Sequence, residues 1–82
     1  MNEDRWEDLK DRFRDHFRSS AVTAGEGFIE FESDVSRLKV GRDGSVNGDM
    51  PLHSFSGFYE SVEFGEDEVR FLESGRKYVF RK

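Results

Sequence analysis

The chain has no cysteine, a single proline and no apolar run near the length of a membrane span. Without cysteine there is neither a disulfide staple nor a thiolate zinc site, a composition that fits a reducing compartment. A spanning helix needs about 20 consecutive apolar residues, so none is expected. The proline, Pro51, lacks a ladder N–H and marks its surroundings as an edge or an irregular segment. The opening residues are polar and acidic, unlike a signal or transit peptide. A soluble cytoplasmic protein is expected. At 82 residues the chain should form one domain, 1–82, whose modest core leaves it marginally stable.

What is abundant is charge. Charged residues make up 38% of the chain, the formal net charge is −5, and arginine outnumbers lysine nine to four. Surfaces rich in Asp and Glu and poor in Lys suit molar salt, where a Debye length of about 3 Å removes most self-repulsion. In this composition, taken over its whole length, the chain resembles the small acidic proteins of haloarchaea, most of which have no assigned function. The resemblance involves no motif and brings no site residues with it. It implies only that the acidity is an adaptation to salt.

The clearest pattern lies in residues 58–81. Ser74-Gly75 has the chemistry of a two-residue hairpin turn. Folding about it sets Glu73 opposite Arg76, Phe71 opposite Tyr78 and Val69 opposite Phe80. A four-residue loop, 65–68, sets Phe64 opposite Val69, Val62 opposite Phe71 and Glu63 opposite Arg70. Phe58, Val62, Phe64, Val69, Phe71, Tyr78 and Phe80 then share an aromatic face, and the other face pairs opposite charges, so a one-residue slip would scramble both. By the same parity, Glu60 falls at the rim of the inner face, near Glu73 and Arg76. The cover for the aromatic face is an N-terminal helix over about 2–18, on which Trp6, Leu9, Phe13 and Phe17 form one stripe. Asn2 is placed to cap it, Glu3 and Asp4 lie in its first turn, and His16 and Arg18 lie in its last.

The middle of the chain continues the meander. Residues 19–26 read as a connection and 27–32 as a strand. A tight turn at Ser33-Asp34 would place Ile29 against Leu38. After a strand at 35–41, the loop Arg42-Asp43-Gly44 pairs Val40 with Val46. The next strand should be short, broken by Asn47-Gly48-Asp49 and Pro51. The expected fold class is α+β: one N-terminal helix packed on an antiparallel meander sheet of five to six strands over about 27–81, curled like a half-barrel.

Four groups of residues are candidates for function. Asp43, Ser45, Asn47 and Gly48 match positions 1, 3, 5 and 6 of a calcium loop, but Ser54 stands where the bidentate Glu belongs and Pro51 intrudes. A hairpin turn followed by a polar break explains them better. His53 with Asp49 could be imagined as catalytic, yet no nucleophile elbow or ligand spacing accompanies them. Arg76, Lys77, Tyr78, Phe80, Arg81 and Lys82 interleave bases with aromatics as single-strand binders do. The inward parity of Tyr78 and Phe80 and the acidic total oppose nucleic acid. Phe28, Tyr59, Leu72 and Val79 fall on the outer face by parity and could form an apolar interface. These observations favour a non-enzymatic interaction module that self-associates as a homodimer or binds another protein, without cofactor, metal or membrane. The alternative is a small-ligand-binding domain with a cavity between helix and sheet walled by Trp6, Phe13 and Tyr78.

Overall fold

In the computed structural model, which describes residues 3–17 and 21–81, the N-terminal stripe forms α1 (Glu3–His16). Trp6, Leu9, Phe13 and the following Phe17 are buried, as their helical spacing requires. Glu3 and Asp4 begin the helix and Arg14 and His16 end it, which complements its dipole. The outward face carries ion pairs Glu7–Lys10, Asp8–Arg12 and Asp11–Arg14 at 2.7, 3.2 and 3.7 Å. Lys10 is half-buried with its ammonium over the Trp6 ring, and surface helix pairs add only about 0.3–0.5 kcal/mol each, so burial of the stripe is what holds the helix in place. Asn2, Arg18, Ser19 and Lys82 lie outside the described residues.

Eight strands follow: β1 (Val22–Ala24), β2 (Phe28–Glu32), β3 (Arg37–Gly41), β4 (Ser45–Met50), β5 (His53–Phe58), β6 (Ser61–Phe64), β7 (Glu68–Glu73) and β8 (Arg76–Arg81). They form two antiparallel meanders, a five-stranded sheet β1-β2-β3-β4-β5 and a three-stranded sheet β6-β7-β8. The α+β class, the N-terminal helix and the meander order are those expected, and among the described residues the strands divide between two sheets with no closed barrel. The switch falls between adjacent residues. The Tyr59 N–H donates to the Gly44 carbonyl of the larger sheet (2.9 Å), and the Glu60 N–H donates to the Leu72 carbonyl of the smaller (2.7 Å).

The smaller sheet has the register its side chains dictate: Phe64 faces Val69, Val62 faces Phe71, Phe71 faces Tyr78, Val69 faces Phe80 and Glu73 faces Arg76. Gly75 takes the left-handed φ of +77° that its turn needs. Glu60 accepts from the Ser74 N–H and hydroxyl, both at 2.9 Å, and so braces that turn.

The larger sheet departs from expectation in four places. Between β2 and β3 the partners are Ile29 with Val40 and Phe31 with Leu38, two residues from the tight-turn register. The loop is four residues long, closed by Ser33 N–H to the Ser36 carbonyl at 2.8 Å and by Ser36 N–H to the Ser33 hydroxyl at 3.1 Å. A shift of two keeps every side chain on its face. Second, β4 runs unbroken through Gly48. A Cβ there would lie 2.5 Å from the Phe55 ring, so the ring covers the glycine from the neighbouring strand and the ladder survives. Third, residues 22–24 form an edge strand inside the expected connection. Fourth, Phe58 ends β5 and is 57% exposed instead of joining the aromatic face.

The core gathers the helix stripe, Ile29, Leu38, Val40 and Val46 of one sheet, and Val69, Phe71 and Phe80 of the other, with Tyr59 between. Phe31, Val62, Phe64 and Tyr78 are half-buried against it. Rings bind the layers together, with Phe17 stacked on Phe31 at 4.3 Å and Phe55 on Tyr78 at 5.2 Å. Offset aromatic pairs of this kind add about 0.5–1.5 kcal/mol beyond area burial.

Candidate interaction surface

β5 is the last strand of the larger sheet and, among the described residues, pairs only with β4. In a ladder, backbone groups point alternately toward and away from the partner strand. Since the Tyr59 N–H points at Gly44 of the β3–β4 turn, residues 57, 55 and 53 also direct their backbone groups at β4. Ser54, Ser56 and Phe58 therefore direct theirs away from it. All three side chains are exposed. Leu52, in the turn that opens the strand, is 100% exposed, and Phe58, which closes it, is 57% exposed. Residues 50–59 contain no Asp, Glu, Lys or Arg, in a chain that is 38% charged. Edge strands are ordinarily protected by charge, a bulge or a cover, and β5 carries no charge. Sequence reading missed this strand. The signal was present as an uncharged run.

Of the four residues expected to form an outer apolar face, Leu72 and Val79 come together, and Tyr59 and Phe28 lie elsewhere. Tyr59 is buried, 6% exposed. Its hydroxyl donates to the Gly41 carbonyl at 3.2 Å, and its ring meets Phe71 edge-on at 5.6 Å. Burial pushes its pKa up to about 12. Its parity differs from that expected because the chain changes sheets there. Phe28 is half-buried on the larger sheet, folded against Gly25 with the Lys39 ammonium 4.9 Å from its ring centroid. Leu72 and Val79 are half-buried diagonal neighbours on β7 and β8, opposite Lys77 and Arg70, so charge hems in the pair.

The polar candidates separate as well. Asp43 Oδ1 accepts from the Ser45 N–H at 2.9 Å and hydroxyl at 2.6 Å. The hydroxyl bond, then the backbone bond, holds the Asp43 carboxyl below its ordinary pKa. This carboxylate closes a turn. Asn47 and Asp49 stand exposed along β4, opposite Lys39 and Arg37. Strand residues two apart are about 7 Å from one another along the chain, so the three oxygens do not converge. His53 pairs with Met50 and Asp49 with Ser54, so His53 and Asp49 face opposite sides of the sheet. No group of three or more metal-ligating side chains occurs among the described residues.

Trp6 and Phe13 fill the core at 1% and 0% exposure, and Tyr78 lies against Phe55. A surface groove of about 410 Å³ between α1 and β6 is lined by Leu9, Val62 and Phe64 with Asp8 and Arg12, and none of the three proposed cavity residues lines it. No described helix is long and apolar enough to cross a membrane. Compared with protein families, curated proteins and solved structures, the chain gives no significant match, so its own geometry carries the functional reading.

Proposed function

We propose that the protein is a non-enzymatic interaction module that self-associates as a homodimer. The observation that carries this reading is the uncharged outer edge of β5, bracketed by exposed Leu52 and Phe58. On so acidic a chain, a second copy meets least repulsion where no like charge has to be approached. The same reading takes the acidity as adaptation to salt and the compartment as the cytoplasm.

Molar mass by light scattering after size exclusion tests it, in dilute buffer and in molar salt. The expected mass is twice 9.6 kDa in both. A strict monomer in both at millimolar protein would overturn self-association.

A further inference from the structure

We propose that two copies pair through β5, antiparallel and centred on Ser56, so that the two five-stranded sheets become one continuous sheet of ten. The inference rests on the self-association proposed above and specifies where it occurs.

Three observations lead to this pairing. The first is the direction of the backbone. Ser54, Ser56 and Phe58 offer N–H and C=O groups away from β4, by alternation from the Tyr59–Gly44 bond. A two-fold axis perpendicular to the sheet sets residues opposite one another with their side chains on the same face. Centred on Ser56, it pairs Ser56 with Ser56 and Ser54 with Phe58. All three pairs along the seam then consist of residues whose outward groups are available, and the interface is isologous.

The second is the fit of side chains. On the outer face each exposed Phe58 lies across a serine. On the inner face Phe55 comes opposite Gly57, a large residue against the smallest. The strand is thus self-complementary in size, which a partner of unrelated sequence has no reason to match.

The third is charge, compared over the edges of both sheets. β1 is three residues long. β6 carries Glu63 and runs beside α1, where Arg5 donates to the Glu60 carbonyl at 3.4 Å. β8 carries Arg76, Lys77 and Arg81, and its Arg81 N–H reaches the Met50 sulfur at 3.4 Å. β5 is six residues long and contains no Asp, Glu, Lys or Arg. Of the four edges among the described residues it alone combines length with neutrality, so it is the edge on which two copies of net charge −5 can meet.

Substitution at Ser56 separates this pairing from self-association elsewhere. Ser56→Pro removes an N–H that points away from β4, where proline is tolerated on an edge. Across the two-fold axis it deletes two hydrogen bonds, so the dimer dissociation constant should rise about 100-fold or more. Ser56→Lys places two ammonium groups opposite each other and should also give monomers. Leu72→Asp, on the outer face of the other sheet, should leave the dimer intact. Because the chain has no cysteine, Ser56→Cys gives a single thiol that a short bis-maleimide should cross-link into dimers, while Thr23→Cys on β1 should not cross-link. This arm decides the matter if Ser56→Pro fails to fold. A wild-type dimer that survives both Ser56→Pro and Ser56→Lys, or whose Ser56→Cys form does not cross-link, would overturn the β5 seam and leave self-association standing. A wild-type monomer would overturn both.

Discussion

Tyr59 shows how a single residue can be misplaced by pattern and then explained by structure. Read as a continuation of the C-terminal meander, it falls on the outside. In the fold it bonds to the larger sheet and sinks into the core with its hydroxyl on Gly41. Tyr59→Phe leaves that carbonyl without the hydroxyl and should lower stability at neutral pH by about 1–2 kcal/mol. The pH dependence has a definite sign. An unfolded tyrosine ionises near pH 10, whereas buried Tyr59 holds its proton to about 12. Its contribution is therefore full below about pH 10 and declines as pH rises through 12. Urea midpoints measured across that window should fall less for Tyr59→Phe than for the wild type; parallel declines would refute the assignment. Gly48 is a second case. Adding a methyl at this strand glycine drives the Phe55 ring from its stack on Tyr78. Gly48→Ala should be less stable by about 1–3 kcal/mol, and most of that loss should vanish on a Phe55→Ala background, since the two residues share one space.

Among elements, those with their own punctuation were legible in advance. Ser74-Gly75 and residues 65–68 are turns whose flanking side chains match in only one register, and every expected pair in the smaller sheet is present. The helix was legible for the same reason, an aromatic stripe at one spacing. β1 was not, because three residues flanked by small side chains have no pattern of their own and become a strand only against β2. The length of β4 was not, because what sustains it through Gly48 is a ring on another strand. The switch at Tyr59 was illegible because it depends on which carbonyl each of two adjacent N–H groups meets. The helix is the element that both sheets share, with His16 beside Phe64, and Phe17 beside both Phe31 and Phe80. Phe13→Ala, at 0% exposure, should therefore remove about 3–5 kcal/mol. That is a large part of what a small domain has in total, so circular dichroism should show strand as well as helix signal lost at lower urea.

For the molecule as a whole, charge governs behaviour more than any single contact. A net −5 on 82 residues opposes both compaction and the approach of a second copy, and salt screens both. Raising sodium chloride from about 0.1 to 1 M, where the Debye length shrinks from about 10 to 3 Å, should raise the melting temperature and, on the proposed self-association, tighten the dimer as well. If salt stabilised the fold while weakening the dimer, the seam would have to contain attractive ion pairs, and β5 has none to supply.

The neighbour-only order of the strands also bears on how the chain assembles. Each strand pairs with the one just before it in its sheet, so hairpins close over short loops at small entropic cost and need not wait for distant segments. The helix is the exception. It precedes every strand in the chain, yet Val69, Phe71 and Phe80, which complete the core around its stripe, come after the whole of the larger sheet. During synthesis the larger sheet can form on its own schedule while Trp6 and Phe13 remain without their final cover, which β7 and β8 then supply.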